Sequence, residues 1–353
     1  MNYPKNGFLK VHILTQNIAE REEQNWLDIL KNAVSDPILL LKRLNLSESY
    51  FLEDIKARQL FAMRVPTPFI EKMEIGNPQD PLFLQVMTGA EEFSDVVGFT
   101  QDPLSENQAN AIPNILHKYH NRLLFMLKGG CAINCRYCFR RHFPYEQNPG
   151  NKRSWQRALD YIAQHDEIEE VIFSGGDPLM AKDSEWRWLL ASLELIPHVQ
   201  RIRIHSRLPV VIPQRITATF CSLLKNSRFQ VVLVTHINHP NEIDEYFTLA
   251  MQKLRDANVT LLNQSVLLRR INDDPIILKS LSDKLFQSGI LPYYLHLLDK
   301  VQGAAHFYIP DEQALYIYRQ LQAKTSGYLV PKLAREIAGE PNKTLYGDQY
   351  PLE

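Results

Sequence analysis

The sequence predicts an α/β protein built on a partial (β/α)6 TIM-like barrel, and three observations carry that prediction. First, short β-branched or apolar runs recur along the chain, at Leu123–Leu127, Val171–Phe173, Arg201–His205, Val231–Thr235, Thr260–Val266 and Leu291–Leu297. The last five begin at 171, 201, 231, 260 and 291, a period of about 30 residues, which is the size of one βα unit. Second, helix-patterned segments fill the gaps at Ser154–His165, Asp183–Leu195, Asn241–Ala257 and Pro275–Ser288, several of them opened by Ser, Asn or Asp at the cap position. Third, polar and glycine-rich residues gather just past each strand, at Gly129–Cys131, Ser174–Pro178, Ser206–Arg207, His236–Pro240, Arg269–Asp274 and Asp299–His306. Periodicity alone would also fit a doubly wound sheet. The chemistry at the strand ends favours a barrel, because an α/β barrel builds its active site on that face.

Ahead of the barrel, helical patterns at Asn17–Asn32, Asp36–Leu44 and Phe51–Phe61 alternate with proline-bearing loops at Pro66–Pro68 and Gly76–Pro81. The expected division is a mainly helical extension over 1–110, a barrel core over 111–326 and a short carboxy-terminal segment over 327–353. Of the 353 residues, 45% are hydrophobic and 22% charged, ordinary values for a globular protein with a large core. Lys and Arg total 39 against 40 Asp and Glu, so the charge gives no support for unaided binding to nucleic acid or a membrane surface. Met1–Val11 lacks the cationic and apolar pattern of an export signal, and no apolar run approaches the ~18 residues of a membrane span. A cytoplasmic protein acting on a small molecule or a protein partner is the expectation.

Three of the four cysteines fall within eight positions, as Cys131-Ala132-Ile133-Asn134-Cys135-Arg136-Tyr137-Cys138. That layout suits metal ligation in a reducing compartment, whereas the distant Cys221, in the apolar stretch Ile216–Leu224, reads as a packing residue. C-x3-C-x2-C spacing lets one tight loop wrap three thiolates around three irons of a [4Fe-4S] cubane. The fourth iron, without a protein ligand, can chelate the amino and carboxylate groups of S-adenosylmethionine. The alternative is a structural zinc site closed by His142 or His120. Tyr137 and Phe139 fit either as core residues or as a shield for the cluster.

The cysteine motif after a first strand, followed by Ser174-Gly175-Gly176-Asp177-Pro178 after a second, resembles the radical S-adenosylmethionine (radical SAM) superfamily. The glycines would let backbone approach the methionyl amino group, although a simple turn also explains them. Further motifs are similar to the lysine 2,3-aminomutase family: His117-Lys118-Tyr119 with Arg122, Thr235 to Glu242, Asn263 to Leu268, Asn272 to Pro275, Asp299 to Phe307, and Ser326-Gly327-Tyr328. This resemblance implies a radical SAM type of barrel and adds pyridoxal 5′-phosphate to the cofactors. It implies that Lys343 forms the Schiff base, with Lys332 as the fallback, because Lys343 follows Ala338-Gly339-Glu340-Pro341-Asn342 where the family carries a run of glycines. Lys118 and Arg122 match the cations on the cofactor phosphate, and Arg140 an arginine that clamps the substrate α-carboxylate. Asp299 and Glu336 match acids that receive the distant ammonium group, with Glu336 standing where the lysine enzymes carry aspartate. His236 and Gln264 match positions near the S-adenosylmethionine and pyridoxal sites, or else cap strand ends.

The implied reaction converts (S)-α-lysine to (R)-β-lysine by radical amino migration. With no cysteine after Cys221, and with Tyr293 to Phe307 and Gly327 to Ile337 as they stand, the chain looks like the bacterial enzyme that supplies β-lysine for modification of translation elongation factor P. That resemblance implies links to elongation factor P, to a separate lysyl ligase and to a reducing protein such as flavodoxin or ferredoxin. Catabolic or osmolyte-producing lysine or glutamate 2,3-aminomutases, and a non-catalytic zinc scaffold, are the alternatives.

Overall fold

The computed structural model describes residues 20–347, so Met1–Val11 and the first residues of the predicted Asn17–Asn32 helix lie outside the described residues. One ten-stranded sheet follows the order of the sequence. Its strands are β1 (Asn110–Ile112), β2 (Ile115–Tyr119), β3 (Arg122–Lys128), β4 (Glu170–Gly175), β5 (Arg201–Ser206), β6 (Gln230–His236), β7 (Thr260–Val266), β8 (Leu291–His296), β9 (Lys332–Arg335) and β10 (Thr344–Leu345). Strands β3 to β8 are parallel neighbours and coincide with the six predicted runs to within two residues. The sheet extends past them at both edges. An antiparallel pair, β1 and β2, flanks β3; at the other edge β9 lies parallel to β8, and β10 turns back on it. Edges β1 and β10 are not hydrogen-bonded to each other, so the barrel is open.

Crossover helices α1 (Lys152–Ala163), α2 (Asp183–Glu194), α3 (Ala218–Asn226), α4 (Glu245–Asp256), α5 (Pro275–Gln287) and α6 (Asp311–Lys324) follow β3 to β8 in turn. Asn151, Thr217, Asp244 and Asp274 cap four of them by accepting from backbone N–H groups of the first turn, the groups a helix leaves without partners. The helix expected from Asn241 starts instead at Glu245, after a 3-10 turn over Pro240–Glu242. The reason is tertiary: the buried Glu242 carboxylate reaches back to the N–H groups of Asn238 and His239, and Asp244 becomes the cap.

The sheet's two faces carry opposite chemistry. On the outer face Phe173, Ile202, Ile204, Val231 and Leu233 pack under Trp155, Trp186, Phe220 and Phe247 of the helices, and burying each such side chain is worth ~1.5–3 kcal/mol. Facing inward at period two stand Glu170, Ile172 and Ser174 of β4, and Arg201, Arg203 and His205 of β5. These side chains leave the barrel unfilled and line a cavity of about 1100 Å³, large enough for more than one small molecule.

Candidate active site

The cysteine loop leaves β3 at the carboxyl end of the sheet, and Cys131, Cys135 and Cys138 all line the cavity as free thiols. Residues that precede β1 in the chain hold this loop from outside. Asn134 N–H donates to the Arg64 carbonyl at 3.1 Å and Arg136 N–H to the Gln85 carbonyl at 2.9 Å. The fully buried Arg136 guanidinium forks onto Glu92 at 2.8 and 2.5 Å, and Arg141 shares the same carboxylate at 2.6 Å. From inside, the loop after β4 packs on it: Gly176 N–H donates to the Lys128 carbonyl at 2.7 Å and Asp177 N–H to the Gly130 carbonyl at 3.0 Å. A Cβ on Gly176 would lie 2.5 Å from the Gly130 oxygen, and Gly175 has φ +125°. Close approach of the two loops therefore already requires both glycines.

Asp177 is consumed by the protein. One carboxylate oxygen accepts from Leu179 N–H and Ser206 Oγ, the other from the N–H groups of Arg207 and Leu208, which ties the end of β4 to the end of β5. Burial still pushes its carboxyl up to about 6. Ser174 accepts from Arg140 Nη1 at 2.9 Å.

The donor set fits an iron–sulfur cluster. Burial pushes the Cys131 thiol well up and the Cys138 thiol up to about 11, and neighbouring cysteines raise each further, so these sulfurs ionise together only around bound cations. The zinc alternative needs His120 or His142 beside the sulfurs. His120 is exposed in the β2–β3 turn, at the opposite end of β3 from the cysteines, and His142 Nε2 lies 3.3 Å from the Gln302 carbonyl.

The rest of the cavity is a charge network. Arg140 makes a two-pronged pair with Glu106 at 2.6 and 2.8 Å. Lys118 bridges Glu106 at 3.2 Å and Glu336 at 2.9 Å, and Glu336 also pairs with Lys343 Nζ at 2.5 Å. Burial would raise Glu336, but Lys343 and Lys118 together hold it down at about 2. Lys343 enters the cavity because it immediately precedes β10, whose pairing with β9 folds the loop inward despite its departure from a glycine run. Lys332, the fallback, is exposed and does not line the cavity. Arg122 lines the cavity with its guanidinium 4.3 Å from the centre of the Tyr119 ring. Near Lys343, Asp299 carries no ion pair among the described residues; burial and the adjacent Glu336 push its carboxyl up to about 7.

His205, His236 and His296 line the wall near the carboxyl ends of β5, β6 and β8, and burial holds His236 down at about 4 and His296 at about 3. His205 Nε2 and His236 Nε2 are buried with no hydrogen-bond partner among the described residues, donors or acceptors for a bound group. Gln264 lines the same wall from β7. Several polar residues of the site escaped prediction: Glu106, Arg203 with its partner Glu170 at 2.9 Å, and His205. The run Arg201-Ile202-Arg203-Ile204-His205 held the signal for two of them, since charges at period two on a central strand must face a cavity. An isolated Glu106 carries no such pattern.

Comparison with known proteins agrees with this geometry. The pattern of the Radical SAM superfamily matches residues 127–277, from the end of β3 into α5. Over 96% of its length the chain is 72% identical to the L-lysine 2,3-aminomutase of Haemophilus influenzae, covering 100% of that protein. It is 59% identical to that of Escherichia coli K12, over 94% of this chain and 97% of the relative, and 33% identical to that of Clostridium subterminale, over 94% and 80%. With the cysteine loop, the open barrel and the lysine-bearing cavity all in one continuous match, the chain belongs to the L-lysine 2,3-aminomutase family of radical SAM proteins.

Proposed function

We propose that this protein is an L-lysine 2,3-aminomutase, moving the α-amino group of (S)-lysine to the β-carbon to give (R)-β-lysine. The charge layout of the cavity carries the reading. The Arg140 guanidinium already forks onto the Glu106 carboxylate, the two-pronged geometry that a substrate α-carboxylate would take in its place, and Asp299 makes no ion pair among the described residues where the substrate ammonium would arrive. A glutamate mutase would need a cation at that end, and Asp299 and Glu336 oppose it.

The [4Fe-4S] cluster with S-adenosylmethionine would supply a carbon-centred radical, and pyridoxal phosphate a carbonyl to carry the migrating nitrogen. Everything else falls to the chain. Cys131, Cys135 and Cys138 hold the cluster; Lys118 and Arg122 hold the phosphate; Lys343 Nζ anchors the pyridoxal carbonyl. Glu336, 2.5 Å from Lys343 Nζ, would hold that side chain in position inside the cavity. Gln264, His236, Ser174 and the Gly175-Gly176 turn shape the S-adenosylmethionine end, and Asp177 fixes that turn to β5. Leu124, Ile172, Val232 and Leu262 add apolar surface to the cavity wall, which would help to exclude water during the reaction.

We assign the product to modification of elongation factor P by a separate ligase, in the cytosol, with flavodoxin or ferredoxin as electron source. The support is the likeness of Tyr293 to Phe307 and Gly327 to Ile337 to the bacterial enzyme of that pathway. The decisive assay incubates the anaerobically reconstituted protein with reductant, S-adenosylmethionine, pyridoxal phosphate and L-lysine, followed by chromatography for β-lysine. Lys343→Ala should lose the cofactor's imine absorbance and at least about a hundredfold in turnover. Full activity and an intact imine band in that variant would overturn the anchor assignment.

A further inference from the structure

Arg207 follows β5 at the carboxyl end of the sheet and is 6% exposed. Its Nη1 donates to Cys135 Sγ at 2.7 Å, while Nη2 donates to Gln85 Oε1 at 2.7 Å and to Glu242 Oε2 at 2.9 Å. Glu242 is itself immobilised, its other oxygen accepting from the N–H groups of Asn238 at 2.9 Å and His239 at 3.0 Å and from Gln85 Nε2 at 3.2 Å. Phe69 and Tyr137 pack on the guanidinium, with ring centres 5.4 and 5.7 Å away. A guanidinium stays protonated throughout the ordinary pH range, and the Glu242 carboxylate pairs with this one inside the protein. Thus a buried cation is aimed at one of the three sulfurs and cannot swing away.

We propose that Arg207 is a positioning residue for the cluster: its Nη1–H bond to Cys135 Sγ raises the reduction potential, and Glu242 fixes the angle and tempers the charge of that donor. The inference rests on the assignment of Cys135 as a cluster ligand. Reduction by an external one-electron donor adds negative charge that spreads onto the ligand sulfurs, so an N–H donor stabilises the reduced cluster more than the oxidised one. No bond is made or broken at Arg207, and the electron comes from the reductant.

Redox titration of the anaerobically reconstituted full-length enzyme, followed by electron paramagnetic resonance without S-adenosylmethionine, tests this. Arg207→Met should disfavour reduction about tenfold at a fixed solution potential, which is about 59 mV more negative for a one-electron couple. Arg207→Lys keeps the charge and should recover most of the shift, a rescue that a purely structural role does not predict. Independently of any variant's folding, wild type labelled with 15N-arginine should show a 15N coupling in pulsed spectra of the reduced cluster. A potential unchanged in Arg207→Met, or no 15N coupling in wild type, overturns the proposal while leaving the ligand assignment intact. Absence of any four-iron signal from reconstituted wild type overturns both.

Discussion

Asp299→Asn should stabilise the ligand-free protein at alkaline pH and weaken its hold on lysine. The Asp299 carboxyl rises from 3.8 to about 7, through burial first and the adjacent Glu336 second, with Lys343 opposing. Folded protein therefore keeps a proton up to about pH 7 that the unfolded chain releases near 3.8, so stability falls as pH climbs between those values and the full cost is present above 7. At ~1.36 kcal/mol per pH unit the interval amounts to about 4 kcal/mol, and water in the open cavity screens this to roughly 2 kcal/mol. For a chain of this size that is a rise in Tm on the order of 3 °C at pH 8, vanishing towards pH 4. Differential scanning fluorimetry of both proteins across pH 4 to 9 reads it directly. Saturating L-lysine should raise the wild-type Tm at pH 8 and raise that of the variant less, because the ammonium is the partner that the ionised carboxylate lacks. A variant less stable than wild type at pH 8, or an advantage independent of pH, would refute the reasoning.

Other perturbations act on different parts of the site. Glu336→Gln removes the negative neighbour that raises Asp299, so the pH midpoint for lysine binding, followed calorimetrically, should fall below the wild-type value. Arg140→Lys keeps the charge but loses the fork that now holds Glu106, and should lower kcat/KM for lysine by roughly 10- to 100-fold, with the loss visible in KM. Gly176→Ala drives a Cβ to 2.5 Å from the Gly130 oxygen and should displace the cysteine loop, which a fall in iron per chain after reconstitution would register.

How far the sequence speaks for this protein follows from the range of each interaction. The six parallel strands and their helices were legible because βα periodicity and Asn, Thr and Asp caps are local properties, settled within about 30 residues. The grouping of the three cysteines was legible for the same reason, since side chains on one short loop must face one site. The start of α4 was not: Asn241 and Asp244 are equally good caps in isolation, and only the burial of Glu242 against Arg207 chose between them. The network joining residues 106, 118, 140, 336 and 343 spans more than 200 positions, and no local pattern marks its members as partners. Tertiary structure alone decided that Lys343 enters the cavity while Lys332 stays outside, that Asp299 makes no ion pair among the described residues, and that a buried guanidinium rests on Cys135. Electrostatic pairing in a low-dielectric interior depends on distance through space, and distance along the chain does not encode it.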